Sequence, residues 1–493
     1  MSVVDVVVFC AYLLGIVLFG LSFYKKNKSA EAFTLGNQRI PTWVVSLSIF
    51  ATFVSSISYL GLPGQAFASN WNPFVFSLSI PLASYVAVRF FVPLYREVNS
   101  PSAYTYLEMR FGAWAKNYAS VMYLLTQLMR AGTILFLLSL LASTMLDLPI
   151  TTIIIVAGVS VMLYSMLGGI QAVVWTDAIQ AIILILGAFL CLFIILIELP
   201  GGVSQVIQEG AMAHKFSLGD MNFDLTSSSF WCVLIYGLFI NLQNYGIDQN
   251  YIQRYMTSSS EKEAKKSAVS GSLLYIPVSL LFVFIGTALF VYYRQFPQLL
   301  PERLPIDQVF PYFIAHQLPV GFKGFLMASI FAAGLSTVST SINSSATVIL
   351  TDFCHIPKLT KGANRRQMQI LYLSSLLFSA LSVCIALAMI NVKSALDTWW
   401  QLASIFSGGM LGLFLLGFVG KRVEAKAAKV GVLFGVFLIA WMSISPIYFP
   451  QWGLNAFMSP FHKNMDIVFG TSIIFIVGFL LTFLWQDRKK EKI

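Results

Sequence analysis

Charged residues are scarce in this chain. Asp, Glu, Lys and Arg make up only 11% of its 493 residues, whereas 57% are hydrophobic and 15% are aromatic. Soluble globular domains carry about 25% charged residues, so this composition excludes an ordinary soluble protein. It predicts a multi-pass protein of the inner (plasma) membrane, with a lipid bilayer around it.

Cysteine and histidine are also few, and they are dispersed. The five cysteines and four histidines are Cys10, Cys191, Cys232, Cys354, Cys384, His214, His316, His355 and His462. The cysteines fall in or beside separate apolar runs, so they predict neither a metal site nor a disulfide framework. The histidines fall in loops or near the ends of the runs. This pattern offers no catalytic triad or metal cluster, which disfavours an enzyme.

Long apolar runs are abundant instead. There are thirteen runs of about 20 residues, each long enough to cross roughly 30 Å of hydrocarbon. They lie at approximately 3–24, 42–68, 73–95, 113–146, 150–168, 172–198, 229–250, 268–293, 322–352, 367–391, 395–420, 430–448 and 465–485. The first run lacks a small-residue cleavage site and is followed by Lys25, Lys26 and Lys28. We therefore expect a retained span and not a signal peptide.

Basic residues alternate from loop to loop. With the N-terminus outside, 24 of the 31 Lys and Arg residues, including Arg254, fall on the cytoplasmic side and six fall on the external side. The remaining one is Arg130, inside the fourth span. This asymmetry predicts an external N-terminus and a cytoplasmic C-terminus. The net charge of +10 is then a topology signal, and nucleic acid is not expected as a partner.

The ninth run carries an unusual polar stretch, FAAGLSTVSTSINSSAT at 331–347. Its polar and small residues share one side of a helix, namely Ala333, Ser336, Ser339, Thr340, Asn343 and Thr347. Hydroxyl and carbonyl oxygens are the ligands that hard cations prefer, and a neutral set suits a weakly held monovalent ion. Small residues also allow membrane helices to pack tightly. The pattern by itself is compatible with either role.

Two other runs are interrupted by polar and helix-breaking residues. The run 42–68 contains Gly61, Pro63 and Gly64, and the run 229–250 is similarly polar at mid-depth. Freed backbone groups are tolerated in a membrane only where they face protein, water or an ion. The two runs are five spans apart, as expected for inverted repeats that each begin with a broken helix. The predicted single transporter domain, 1–493, comprises a leading helix 3–24, repeats 42–198 and 229–420, and accessory helices 430–485.

Two ionisable residues lie inside predicted spans. Asp177 is either a cation ligand or proton site, or an interfacial acid near the cytoplasmic end of its span. Arg130 presents a fork of donors that suits a substrate carboxylate, with Gln127 one turn earlier on the same face. Snorkelling to the interface is a weaker alternative. Another is that Arg130 is the structural counter-ion of Asp177 or Asp248.

Four sequence blocks resemble the sodium:solute symporter family, which includes sodium/glucose, sodium/proline and bacterial sialic acid transporters. The blocks are SIFATFVSSISYLGLPGQAF, SMLGGIQAVVWTDAIQ, DQNYIQRY and FAAGLSTVSTSINSSAT, the last followed by LTDF. The resemblance covers almost the whole chain. It implies an all-α integral membrane protein with the ten-helix inverted-repeat core of the leucine-transporter type, preceded by one helix and followed by two.

The resemblance also implies two sites for co-transported sodium ions. The first is formed by the carbonyls of Ala51, Val54 and Ala333 with the hydroxyls of Ser336 and Thr337. The second is formed by Asp177, Ser339 and Thr340. All eight positions hold a residue compatible with the family pattern.

Further residues match the substrate pocket of the sialic acid transporters. Arg130 stands where those transporters bind the sugar's carboxylate. The positions Ser55, Ser58 and Asn241 also match. Phe53 and Ser77 are departures, because those transporters carry a small hydroxyl residue and a glutamine there. These departures bear on the exact substrate.

The resulting hypothesis is a sodium-coupled symporter that imports a small carboxylate solute by alternating access, with sialic acid (N-acetylneuraminate) as the favoured substrate. Another carboxylate, such as a monocarboxylate, pantothenate or an amino acid, is the alternative within the same class. A transporter-like membrane sensor is the alternative from another class. The short ending QDRKKEKI, without a signalling domain, argues against the sensor.

Overall fold

A computed structural model describes residues 2–301, 304–354, 364–390, 409–420 and 422–490. These residues form helices and connecting turns, with no strand among them. Within the described ranges, ten helices are long and apolar enough to cross a membrane, or eleven when one bent pair is counted as a single span. The prediction of an all-α, multi-pass membrane protein is confirmed.

The chain up to Glu198 contains ten α-helices. They are α1 (Val3–Leu21), α2 (Ala30–Leu35), α3 (Thr42–Phe53), α4 (Ser56–Ala68), α5 (Val75–Leu78), α6 (Ile80–Val86), α7 (Val92–Val98), α8 (Thr105–Phe111), α9 (Ala113–Leu146) and α10 (Ile150–Glu198). A π-helical turn, Ala87–Phe91, joins α6 to α7.

The described part of the chain after Glu198 contains eleven more. They are α11 (Gly202–Met212), α12 (Phe230–Ile247), α13 (Gln249–Thr257), α14 (Glu261–Leu273), α15 (Tyr275–Gln295), α16 (Val309–Gln317), α17 (Phe322–Val348), α18 (Arg365–Met389), α19 (Gly409–Val419), α20 (Ala425–Tyr448) and α21 (Met465–Lys490). A π-helical turn, Ile349–Phe353, continues α17. The predicted span 395–420 lies outside the described residues except for 409–420.

Short 3₁₀ turns complete the secondary structure. They are Tyr24–Lys26, Gly36–Gln38, Asn72–Phe74, Pro297–Leu299, Ile306–Gln308, Pro450–Trp452 and Asn455–Phe457.

Three helical breaks shape the interior. Between α3 and α4 the backbone is extended at Val54 and Ser55, and the two helices differ in direction by 55°. Between α12 and α13 it is extended at Asp248, whose side chain caps α13. Within α10, Gly169 adopts φ 58° and ψ −159°, so one long helix is divided where the sequence predicted two spans. A ψ near 180° at positive φ is accessible essentially only to glycine.

The position of the first break differs from the prediction. We expected freed carbonyls around Pro63, but Pro63 lies inside α4 and the break falls at Val54 and Ser55. A proline interrupts only one hydrogen bond of a membrane helix, and neighbouring groups can compensate for it. The carbonyls next to Val54 instead meet polar side chains from α9 and α17.

Helix α17 forms the centre of the bundle. Almost its entire length is buried, against α1, α3, α4, α9, α10 and α18. Close packing against α10 requires glycine, because a Cβ at Gly187 would lie 2.2 Å from Ser329 Oγ. The same hydroxyl donates to the Ile183 carbonyl of α10 at 3.1 Å. The polar stretch of α17 therefore lies deep inside the protein, where its hydroxyls contact other helices.

Candidate functional site

The first group of predicted ligands meets where α17 faces the end of α3. Ser336 Oγ lies 3.2 Å from the carbonyl oxygen of Ala51 and 3.0 Å from that of Ala333, and it can donate to either. Thr337 Oγ1 lies 3.3 Å from the same Ala333 carbonyl. All four residues are buried, and Val54 begins the adjacent extended segment. An uncharged cluster of carbonyl and hydroxyl oxygens is compatible with a monovalent hard cation.

Arg130 is directed at the same break. Its Nη2 donates to the carbonyl of Thr52 at 3.3 Å, one residue after Ala51. Among the described residues no carboxylate lies within 4.0 Å of its guanidinium. A guanidinium has five donor hydrogens, so most of them remain available to a carboxylate ligand. Arg130 therefore forms no close ion pair with Asp177 or Asp248, although Asp248 lies near enough to be stabilised by its charge.

Gln127, one turn before Arg130, is held by protein groups. Its Oε1 accepts from Ser341 Oγ of α17 at 2.8 Å, and its Nε2 donates to Asp248 Oδ2 at 3.4 Å. Asp248 in turn accepts from the Asn250 backbone N–H at 2.7 Å. Gln127 therefore connects α17 to the break between α12 and α13, while both of its amide atoms are already used.

A cluster of aromatic rings borders the α3–α4 break. We call this the aromatic cluster; it consists of Phe53, Phe76, Tyr245, Tyr251 and Tyr275. The centroid of the Phe53 ring lies 4.4 Å from that of Tyr275 and 5.5 Å from that of Tyr245, with which it is stacked. Ser58 contacts the Tyr275 hydroxyl. The aromatic cluster thus begins next to Thr52, whose carbonyl accepts from Arg130.

The other predicted pocket residues are mostly engaged with protein groups. Ser77 Oγ and Ser279 Oγ are hydrogen-bonded at 2.7 Å. Asn241 Nδ2 donates to Ser79 Oγ at 2.9 Å, whereas Asn241 Oδ1 is buried and has no partner among the described residues. Ser55 is buried at the start of α4, and its side chain does not cap that helix. Of these residues, Asn241 and Ser55 retain unused polar groups.

Asp177 forms a fully buried ion pair with Arg254. Asp177 Oδ2 lies 2.6 Å from Arg254 Nη2, and both side chains are 0% exposed. Ser48 Oγ donates to the same carboxylate oxygen at 2.7 Å. Arg254 Nη2 also donates to Thr340 Oγ1 at 2.5 Å. Asp177 is therefore not exposed at an interface, and Arg254, which was counted with a cytoplasmic segment, is buried inside the protein.

Arg254 is buried because the whole of helix α13 is buried. The segment DQNYIQRY forms a helix whose residues Gln249–Thr257 are all buried. The charge count treated every Arg near a span end as interfacial. A helical period applied to this segment places Arg254 on the same face as Asn250, four residues earlier. The high cost of a buried, unpaired Asp177 was a second signal that an interior cation was needed.

Ser339 and Thr340 lie between the two groups of ligands. Thr340 reaches Arg254, as described, whereas Ser339 Oγ donates to the Ser336 carbonyl at 3.0 Å. The Ser339 carbonyl accepts from Ser165 Oγ of α10 at 3.1 Å. Thus Asp177 and Thr340 meet at one guanidinium nitrogen, and Ser339 connects that region to the first group.

Known proteins that are similar to this chain include sodium-coupled sialic acid symporters. The chain is 30% identical over 484 residues to the sodium/sialic acid symporter NanT of Aliivibrio fischeri, covering 97% of this chain and 92% of NanT. It is 31% identical over 441 residues to the sodium/sialic acid symporter SiaT of Proteus mirabilis, covering 88% of each. A solved structure of a Na⁺-coupled sialic acid symporter, bound to substrate and open to the outside, superposes with a TM-score of 0.89 at 29% identity over 98% of both chains.

The family model agrees with these relatives. Residues 33–435 match the model of the sodium:solute symporter family, which is a family of transporters and not of enzymes. The resemblance drawn from the four sequence blocks is therefore confirmed, including its likeness to the sialic acid transporters. The many apolar helices and the bacterial relatives make this a multi-pass protein of the inner membrane. The chain belongs to the sodium:solute symporter family.

Proposed function

We propose that this protein imports sialic acid together with sodium ions by alternating access. The observation that carries the proposal is the placement of Arg130, whose guanidinium points to the α3–α4 break and has no carboxylate partner among the described residues. Sialic acid bears the carboxylate that such a guanidinium binds through two parallel hydrogen bonds. The likeness to two sodium/sialic acid symporters supports the same substrate.

Sodium and substrate binding are coupled through one helical turn. The carbonyl of Ala51 belongs to the proposed first sodium site, and the next carbonyl, that of Thr52, accepts from Arg130. An ion held by Ala51, Val54, Ala333, Ser336 and Thr337 would fix the end of α3. Arg130 would then have a fixed anchor from which to reach the substrate carboxylate. Loss of the ion on the inner side loosens that anchor and favours release of both.

A second sodium ion is part of the proposal. Its ligands would be Asp177, Ser339 and Thr340, at the junction of α10 and α17. Two sodium ions and one carboxylate monoanion carry a net charge of +1. Each transport cycle would then gain about 2.3 kcal/mol per 100 mV of membrane potential.

We further propose thirteen spans in a leucine-transporter-type fold, with the N-terminus outside and the C-terminus in the cytoplasm. Two features support the count, namely the division of α10 at Gly169 and the apolar helix α19 at the end of the predicted span 395–420. The α3–α4 and α12–α13 breaks open the proposed repeats 42–198 and 229–420. Equivalent broken helices are expected where inverted repeats form a central binding site.

Uptake into proteoliposomes tests the function. The purified chain is reconstituted, and uptake of labelled N-acetylneuraminate is measured with an inward sodium gradient, with an equal potassium gradient and with no gradient. Uptake that needs sodium and accumulates substrate above equilibrium is expected. If sealed vesicles that contain the folded protein show no sodium-dependent uptake, the proposal is refuted. A sodium leak without solute would indicate a channel, and absence of any flux would favour the sensor alternative.

The aromatic cluster favours a second candidate, a symporter for a less polar carboxylate. Phe53 packs against Tyr245 and Tyr275 where the sialic acid transporters carry a small hydroxyl residue, so one hydrogen-bond partner for a polyhydroxylated sugar is missing. Counterflow separates the candidates when vesicles loaded with labelled N-acetylneuraminate are diluted into unlabelled N-acetylneuraminate, short monocarboxylates, pantothenate or amino acids. Exchange with N-acetylneuraminate alone supports the sialic acid assignment. Faster exchange with another acid would replace it.

A further inference from the structure

Four helices meet at the buried guanidinium of Arg254. Its Nε donates to Ser48 Oγ of α3 at 2.7 Å, and its Nη1 donates to the Asn250 carbonyl of its own helix, α13, at 2.6 Å. Its Nη2 lies 2.6 Å from Asp177 Oδ2 of α10 and 2.5 Å from Thr340 Oγ1 of α17. The guanidinium is thus fixed by protein groups on every nitrogen and is shielded from solvent.

The Nη2 atom of Arg254 is placed as a bound cation would be. Asp177 and Thr340, the two groups it joins, are two of the three ligands proposed for the second sodium ion. Calcium, an ion of similar size to sodium, binds oxygen at roughly 2.3–2.6 Å. The two contacts of Nη2 are of nearly that length. A sodium ion sharing both oxygens would therefore overlap this nitrogen.

The carboxylate of Asp177 also has an unused side. Its Oδ1 is buried and has no hydrogen-bond partner among the residues that the structure describes. A buried acceptor without a partner is costly, and the cost is greatest for a charged group. This oxygen is the kind of atom that a desolvated cation would coordinate. One carboxylate thus faces Arg254 through Oδ2 and presents Oδ1 to a ligand.

We propose that Arg254 is a tethered cation that competes with the second sodium ion for Asp177 and Thr340. Sodium would take the Asp177 carboxylate only when Nη2 withdraws from Thr340, because two positive charges around one buried carboxylate repel each other. The role of Arg254 is to keep this site weak, so that the ion is released to the cytoplasm when Arg254 returns. The inference rests on the proposed second sodium site and not on the identity of the substrate.

Sodium binding without substrate tests the competition. Equilibrium binding of ²²Na⁺ is measured on the purified full-length chain for the wild type, Arg254→Gln, Arg254→Lys and the double variant Arg254→Gln/Asp177→Asn. Arg294→Gln, which removes an exposed arginine in the last turn of α15, is the matched control. Uptake of sialic acid plays no part in this assay, so failure of the proposed substrate and failure of this inference are separate results.

The variants separate the effect of the Arg254 charge on sodium affinity from the effect of its packing. Arg254→Gln should bind the second ion at least about tenfold more tightly, because the buried positive charge that repels the ion is removed. Arg254→Lys keeps the competing charge and should stay close to the wild type. The double variant should lose the tightened site, and Arg294→Gln should leave binding unchanged. Equal or weaker second-site binding in folded Arg254→Gln would overturn the proposal and leave Arg254 a purely structural partner of Asp177.

A measurement on the wild type covers the case in which Arg254→Gln does not fold. Hydrogen exchange of the backbone amides of Gln249–Thr257 is followed by mass spectrometry in sodium and in potassium. Displacement of Arg254 by sodium releases α13 from Thr340 and Asp177, so these amides should exchange faster in sodium. Exchange that is unchanged or slower in sodium would contradict the competition directly.

Discussion

Two arginines lie inside this bundle, and their surroundings give them opposite roles. Arg254 is fully buried, with hydrogen bonds from every nitrogen and an ion pair with Asp177. Arg130 makes one hydrogen bond among the described residues, to the Thr52 carbonyl beside the α3–α4 break. A guanidinium whose nitrogens are all bonded to protein groups is not available to an anionic substrate. One that is only partly satisfied is suited to binding an anionic ligand.

Substitution of Arg130 tests its role in substrate binding. Arg130→Lys keeps the charge but loses the forked geometry, so the affinity for substrate should fall while some uptake remains. Arg130→Ala should abolish uptake, because a buried carboxylate without a partner costs about 3–5 kcal/mol. Sodium binding without substrate should stay near the wild-type value in both variants. Arg294→Ala, at an exposed arginine, is the control for both assays.

A substrate analogue separates a direct role of Arg130 from an indirect one. An N-acetylneuraminate whose carboxylate is amidated should compete poorly with the natural substrate in the wild type. Equal competition by the amide and the acid would show that Arg130 does not bind the substrate carboxylate.

The hydroxyls of the first proposed sodium site can be removed one at a time. Ser336→Ala and Thr337→Ala each delete one oxygen ligand from the cluster around the Ala333 carbonyl. Loss of about 1.4 kcal/mol of ion binding would raise the sodium concentration for half-maximal uptake about tenfold. Ser160→Ala is a suitable control, because that hydroxyl bonds only within its own helix. Unchanged sodium dependence in both folded variants would place the ion elsewhere.

Helix α3 shows which part of the site the sequence could reveal. The apolar runs and their polar interruptions indicated which spans are broken, since polarity within a span is a local property. The position of the break was not local. Gly61, Pro63 and Gly64 suggested one place, but the chain opens at Val54, where α9 and α17 supply polar partners for the freed carbonyls.

The buried pair of Asp177 and Arg254 shows the same limit. The two residues are 77 positions apart in sequence and meet only because α13 returns into the bundle beside α10. The sequence indicated that Asp177 needed a partner, but no spacing rule identified Arg254. By contrast, Ala333 and Ser336 lie within one turn of α17, so their common face followed from helical periodicity, whereas Thr337 was assigned from the family resemblance.

The break within α10 offers a test of a single helical element. Gly169 has φ 58° and ψ −159°, and an added Cβ would lie 2.8 Å from Asn27 Oδ1. Gly169→Ala should therefore lower the free energy of unfolding by about 1–3 kcal/mol. Gly15→Ala is the matched control, because no neighbouring atom lies within 4 Å of its added Cβ. Thermal unfolding in detergent measures both, and equal stability of the two variants would contradict the strain at Gly169.

The proposed orientation of the whole molecule in the membrane can be tested at two exposed loops. Ser227 lies between α11 and α12 on the proposed external side, and Ser259 lies between α13 and α14 on the proposed cytoplasmic side. In a background without the five native cysteines, Ser227→Cys should react with a membrane-impermeant maleimide in intact cells. Ser259→Cys should react only after the membrane is opened. The reverse labelling pattern would invert the proposed topology.

Charge movement during transport is a property of the complete cycle, and it depends on how many ions accompany the substrate. With two sodium ions and one carboxylate, each cycle moves one net positive charge and gains about 2.3 kcal/mol per 100 mV. Asp177→Asn removes the only acidic ligand proposed for the second ion, so one sodium per substrate should remain and transport should become electroneutral. The substrate-dependent current, and with it a measurable reversal potential, should then disappear, while substrate affinity should change less. Asp147→Asn, at an exposed acid after α9, is the control. An identical reversal potential for the wild type and Asp177→Asn would remove the second sodium ion from the transport cycle.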